Sequence, residues 1–213
     1  MKQITQFFGI LLTGILLWGC SNTDKPALAI HEQQYIQGIE LAKNGDFTSA
    51  IHSFKTALME MPGYSPADGS MAIAKDAEAG KLKPQAAMAL FRAIDFGNHF
   101  DNEKKIRELN LAISIDPNYA PAYNERGIAF FDMGKFRQAL SDRNHAIELS
   151  PNEPASYYNK ALTCEKLEMF EDAIDAYARF IERANPRQKE HVEYARFRIE
   201  ELEELVLQGR KNT

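Results

Sequence analysis

Five histidines, two cysteines and 30 carboxylates are the side chains of this 213-residue sequence that could ligate a metal or act as acid, base or nucleophile. Metal sites on helices and turns commonly pair such ligands about three to five residues apart. His31, His52, His99, His145 and His191 show no such pairing. A Gly-rich phosphate loop, a nucleophile elbow and a zinc signature are all missing from the sequence. The carboxylates fall on polar helix faces, where solvation accounts for them. His99, Asp101 and Glu103 alternate in what reads as a loop, the one local hint of an enzyme or glycan site. The expectation is therefore no catalysis, no cofactor and no metal.

Cys20 is a different case. It closes an apolar run, Phe7 to Trp18, broken by Gly9, Thr13 and Gly14 and preceded by Lys2. Such a run rises about 18 Å as a helix, well short of a hydrocarbon core of ~30 Å. It reads as a secretory signal peptide and not as a membrane span. Leu17-Trp18-Gly19-Cys20 resembles a bacterial lipobox, although Trp18 is larger than the residue usual there. The resemblance implies cleavage after residue 19 and lipidation of Cys20. With Ser21 following instead of Asp, it implies export to the periplasmic face of the outer membrane. Two or three acyl chains, at about 0.8 kcal/mol per buried methylene, would hold the chain where one would not. Residues 20–30 then form a polar tether. A plain secretory signal cut just beyond Cys20 is the alternative. Once Cys20 is acylated, Cys164 has no disulfide partner, and its place on an apolar helix face predicts packing.

Composition limits the partners. Hydrophobic residues make up 45% and charged residues 26%, an ordinary globular balance. With a net charge of −5 there is no basic surplus to neutralise phosphates, which argues against nucleic acid.

The elements that would position any site follow a fixed spacing. Pro117 and Pro151, Tyr123 and Tyr157, Phe136 and Phe170, and Ala139 and Ala173 are each 34 residues apart. Within a period, apolar residues at helical spacing make two short stripes. Gly134 lies at the turn between them, and Pro151 lies past the second. A hairpin of this kind cannot bury its apolar face alone and must stack on neighbours.

These residues resemble the tetratricopeptide repeat. Residues 120–153 carry Tyr123, Gly127, Phe130, Phe136, Ala139, Ala146 and Pro151 in the family's order. Residues 31–64 repeat it with Gly38, Gly45, Phe47, Ala50, Phe54 and Pro62. Residues 154–186 repeat it with Tyr157, Ala161, Phe170, Ala173 and Tyr177, but Phe180 stands where a small residue is usual. Pro62 and Pro117 are 55 apart, one repeat plus 21 residues. One division makes 86–119 a degenerate repeat preceded by an inserted segment, 65–85, with a helix from Met71 to Ala79. The other pairs 67–79 with 84–96 and leaves 102–115 alone. Residues 187–208 carry Val192, Ala195, Ile199, Leu202 and Val206 at spacings of three and four. They suit a capping helix, with a dimerising coiled coil as the alternative. The expected fold is an all-α, right-handed superhelical solenoid of about four helical hairpins plus a cap.

Two further expectations rest on the resemblance. Arg126 and Asp142 should form an ion pair between the two helices of one hairpin. The groove lined by the first helix of each hairpin should expose Asn124, Ile128, Phe131, Asp132, Tyr158, Leu162 and Glu165. Phe131 and Tyr158 beside amides and carboxylates suit a peptide segment or a partner helix, though both could instead pack on neighbouring repeats. The Lys/Arg-Asn clamp by which some of these domains grip a carboxyl terminus is not reproduced. The resemblance implies a lipid-anchored adaptor that binds another protein in the bacterial cell envelope. An envelope enzyme or glycan-binding protein using residues 65–119 is the alternative.

Overall fold

The computed structural model describes residues 28–211, with side chains to 208. The expected signal peptide at 1–19, the expected lipidation site Cys20 and the expected tether as far as residue 27 lie outside the described residues. The described residues form ten α-helices: α1 (Ile30–Lys43), α2 (Phe47–Glu60), α3 (Ser65–Glu78), α4 (Pro84–Asn98), α5 (Asn102–Ile115), α6 (Ala120–Asp132), α7 (Phe136–Leu149), α8 (Pro154–Lys166), α9 (Phe170–Arg183) and α10 (Lys189–Lys211).

Helix starts follow local chemistry. Prolines occupy the first turns of α3, α4, α6 and α8, where a missing N–H breaks no bond. Asp46 and Asp101 cap α2 and α5, accepting from the Ser49 and Lys104 amides at 3.1 and 3.0 Å. Both carboxyls are held below their ordinary range by those hydrogen bonds. The helix that the sequence places from Met71 to Ala79 begins earlier, at Ser65. Asp68 and Gly69 lie inside it, because Pro66 sets the first-turn φ and Asp68 faces the positive end of the dipole.

The hairpin turns share one geometry. Gly45, Phe100, Gly134 and Glu168 all take positive φ, at 86°, 58°, 70° and 58°. The last three are spaced by the same 34 residues as the prolines. The degenerate repeat therefore keeps its turn while placing a phenylalanine where glycine is best suited.

Helices pair as α1 with α2, α4 with α5, α6 with α7 and α8 with α9, with α3 laid on α2 and α10 on α9. One core runs through α1–α5, where Phe54 and Phe91 stack at 6.1 Å. Another joins α8, α9 and α10 around Tyr177, Phe180, Cys164 and Leu202. There Phe180 meets the small Ala195 and Leu202 of α10, which explains how the last repeat accommodates it. Between these cores, α6 and α7 meet through alanines, Gly127 and polar groups. Arg126 donates to Asp142 Oδ2 and Oδ1 at 2.8 and 2.7 Å, the expected pair. His145 is half-buried, edge-on to Tyr123 at 4.3 Å.

Candidate functional site

The seven groove positions fall on α6 and α8, and most of their polar groups are taken up inside the fold. Asn124 Nδ2 donates to Ser156 Oγ at 2.6 Å, and its backbone and side-chain oxygens accept from Arg143. That side chain ties α6 to α7 and α8. Ile128 is half-buried, and Phe131 packs edge-on against Phe136 at 5.2 Å. Tyr158 sits among Phe180, His191, Tyr177 and Tyr194 at centroid distances of 5.1 to 6.3 Å. Burial pushes its hydroxyl up to about 12. Leu162 packs on the same cluster. Glu165 accepts from the Tyr177 hydroxyl at 2.6 Å and is paired with Arg198 of α10. Pairing with Glu165 holds the Arg198 guanidinium above its ordinary range.

The sequence allows Phe131 and Tyr158 either to stand out toward a partner or to pack on neighbouring repeats. Both are half-buried, because Phe136 and then α10 supply apolar surface that water would otherwise cover. Asp132 alone of the seven is exposed.

The larger opening lies in the other half of the solenoid. A cavity of about 1110 Å³ is walled by α3, α4 and α6 and reaches Tyr35 of α1 and Asp132. Its polar groups are held from several elements at once. Lys105, from the first turn of α5, is buried against Gly97, where an added Cβ would stand 3.2 Å from Lys105 Cδ. Its ammonium pairs with Glu125 of α6 at 2.8 Å. The Tyr119 hydroxyl donates to Asp76 Oδ2 at 3.1 Å, and burial together with that charge holds the phenol well above its ordinary range. Burial also raises Tyr35, against the pull of hydrogen bonds with Asn98 and Ser70. Phe100 stands at the rim, 92% exposed. Of the lining residues the sequence singled out only Asp132 by number, although it offered the stretch 65–119, which supplies most of the others, as an alternative site. For Phe100 the one signal available was that it precedes Gly134 by a full repeat.

The cluster His99, Asp101 and Glu103 does not converge on a common point. His99 Nδ1 donates to the Asp95 carbonyl at 2.8 Å, Asp101 caps α5, and Glu103 lies exposed in the first turn of α5. Among the described residues, no group of three or more His, Cys, Asp or Glu is placed to hold a metal ion. Among them, too, no helix is long and apolar enough to cross a membrane.

The family model described as "Tetratricopeptide repeat" matches residues 124–188, which take in the best-formed hairpins. Over those residues the chain is similar to the tetratricopeptide repeat. The chain is 28% identical over 143 residues to human serine/threonine-protein phosphatase 5, a match covering 67% of this chain and 25% of the relative. It is 24% identical over 150 residues to the DnaJ homolog subfamily C member 7 homolog of Dictyostelium discoideum, covering 68% and 26%. The chain spans about a quarter of the length of these two relatives. Among solved structures, the TPR2AB-domain:pHSP90 complex of yeast Sti1 superposes with a TM-score of 0.53 at 20% identity, covering 80% of this chain and 70% of that one. The likeness is one of fold.

Proposed function

We propose that this protein is a lipid-anchored tetratricopeptide-repeat adaptor that binds another protein or a peptide segment in the bacterial cell envelope. It would be held at the periplasmic face of the outer membrane through Cys20, and it would perform no chemistry of its own. The observation that carries the binding role is the cavity of about 1110 Å³ between α3, α4 and α6, three helices that each contribute to one buried core. Helices joined in one core offer a preformed surface and lower the ordering cost of association. The yeast Sti1 TPR2AB domain, solved as a complex with pHSP90, supports binding of another protein as something this fold does.

The test combines site-specific photocrosslinking with fatty-acid labelling in cells. A crosslinker at Asp132 or Asn98 should give a discrete adduct with one protein, whereas crosslinkers on the outer face of α7 should not. Labelled fatty acid should enter the wild-type chain and not Cys20→Ala. Absence of any protein adduct from several cavity positions would overturn the adaptor reading, and unlabelled wild type would overturn the anchor.

One observation favours the second reading, an envelope enzyme or glycan-binding protein that uses residues 65–119. Most of the cavity lining comes from that stretch. Against it, Asp101 is committed to a helix cap and His99 to a backbone carbonyl, so neither is turned to a substrate.

A further inference from the structure

We infer that the cavity between α3, α4 and α6 receives an extended peptide segment carrying a lysine or arginine next to a large apolar side chain, with Phe100 as its anchor. The inference rests on the adaptor reading and assigns that reading its site and ligand chemistry.

Charge is the first argument. Asp76, Glu125, Asp132 and Glu153 line the cavity, with Lys105 as the opposing cation. Lys105 is already neutralised by Glu125. Asp76 lies 3.8 Å from the Lys81 ammonium, Glu153 accepts from the Ala155 amide, and the charge of Asp132 acts on the buried Arg143 guanidinium. The lining itself still carries four carboxylates against one ammonium, and the exposed Asp132 makes no side-chain hydrogen bond or close ion pair among the described residues. A cationic side chain entering here would meet carboxylates and aromatic faces together, the surroundings that favour a partly desolvated lysine or arginine. An acidic segment would be repelled.

Phe100 is the second argument. A side chain this large and apolar gains nothing from standing almost wholly in water. The ring is held there by a turn whose positive φ is shared with Gly45, Gly134 and Glu168. Its exposure is accounted for if an apolar side chain of the ligand covers it, since aromatic side chains desolvated on binding carry a large share of binding energy. Size agrees with this occupant. The volume is above the ~300–1,000 Å³ typical of small-ligand sites and suits several residues of extended chain.

The test is selection of random heptapeptides on the purified Cys20→Ala chain, followed by fluorescence anisotropy with labelled copies of the enriched peptides. Enriched sequences should carry Lys or Arg beside Leu, Phe or Tyr. Their affinity should fall at least about tenfold in Phe100→Gly and in Asp132→Lys, and it should weaken with added salt. Phe131→Ala should leave it unchanged. Phe100→Gly removes the backbone strain, so loss of binding there cannot be loss of folding. Enrichment of acidic peptides, or binding that survives Phe100→Gly, overturns the assignment. So does a wild-type chain that enriches no peptide, or that retains cell-wall glycan fragments in a Phe100-dependent way. If peptides bind but respond to Phe131→Ala and not to Phe100→Gly, the adaptor reading stands and the cavity assignment fails. If the crosslinks in cells also find no protein, both fail.

Discussion

Arg143 lies with its guanidinium against Gly127, 3.2 Å from where a Cβ would stand, in the place where Phe54 lies against Gly38 in the first repeat. Each pair is sixteen residues apart on the facing helices of one hairpin. The family's small-against-large contact is thus kept in geometry, while its large member has become a cation.

That exchange has a cost. Arg143 is almost wholly buried, its Nε has no hydrogen-bond partner, and burial pushes the guanidinium down to about 10. Its compensation is two hydrogen bonds to Asn124 and the more distant charges of Glu125 and Asp142. An unpartnered buried polar group costs about 1–3 kcal/mol. Arg143→Met, similar in length and apolar, should therefore raise the urea midpoint, by about 1 kcal/mol in stability. A loss of that size instead would show that the charges around Arg143 outweigh its desolvation. The same geometry predicts that Gly38→Ala is the harsher of the two glycine substitutions. Its Cβ would meet the Phe54 ring at 2.4 Å, whereas at Gly127 a guanidinium has only to shift by tenths of an ångström.

Arg126 and Asp142 should behave in the opposite sense. The contact is bidentate, a third hydrogen bond runs from Arg126 to Asn110 Oδ1 at 2.7 Å, and the Asp142 side chain is 7% exposed. Removing one member strands the other, so Asp142→Ala should cost about 2–3 kcal/mol, discounted from the fully buried case because Arg126 keeps some contact with water. Replacing both together, as Arg126→Leu with Asp142→Leu, should cost less than Asp142→Ala alone. A double-mutant cycle by chemical denaturation measures this. Purely additive losses would mean that the pair has no coupling.

How far the sequence could be followed depended on whether a residue's role is local to one hairpin. The 34-residue spacing of Pro117 and Pro151 sets the register of the solenoid, and the Arg126–Asp142 contact, which the family resemblance implies, lies within one hairpin of that register. What required the structure was long-range. Tyr158 and Glu165 are at groove positions by register, yet α10 folds back so that Tyr194 and Arg198 cover them. No local pattern in α8 signals that. The cavity depends likewise on where α3 comes to rest, and helix α3 lies outside the repeat. Phe100 was hidden for another reason. Its backbone conformation is that of Gly45 and Gly134, but its side chain does not advertise it.

The turn gives a third prediction. A residue other than glycine with positive φ is strained by roughly 1–2 kcal/mol, because its Cβ crowds the following carbonyl. Phe100→Gly and Glu168→Gly should each raise the melting temperature, by about 1 kcal/mol in stability. Gly134→Ala, with φ of 70°, should lower it although nothing lies within 4 Å of the added methyl. If Gly134→Ala were neutral, the turn would be adapting its backbone, and the strain assigned to Phe100 would have to be given up.

Cys164 provides the pH dependence. Its side chain is wholly buried among Tyr157, Ala173 and Tyr177, and burial pushes the thiol up to about 11 from an ordinary 9.0. In the Cys20→Ala chain at pH 8, Ellman's reagent should find no reactive thiol until urea unfolds the protein, and then one. The linkage has a definite sign. Between pH 9 and 11 the unfolded thiol loses its proton while the folded one keeps it, so the unfolded state binds fewer protons and stability falls as pH rises. Cys164→Ala removes this contribution. The wild-type chain should therefore lose more stability than Cys164→Ala between pH 8 and pH 10, with a difference of about 1 kcal/mol. Tyr158 and Tyr177, raised by burial as well, contribute from about pH 9 upward, but they are common to both chains and cancel in the comparison. Equal losses in the two chains, or rapid thiol reaction at pH 8, would mean that the α8–α9 core opens readily. A cap held by Arg198 on Glu165 should prevent that opening, so Arg198→Ala is the variant expected to make Cys164 reactive.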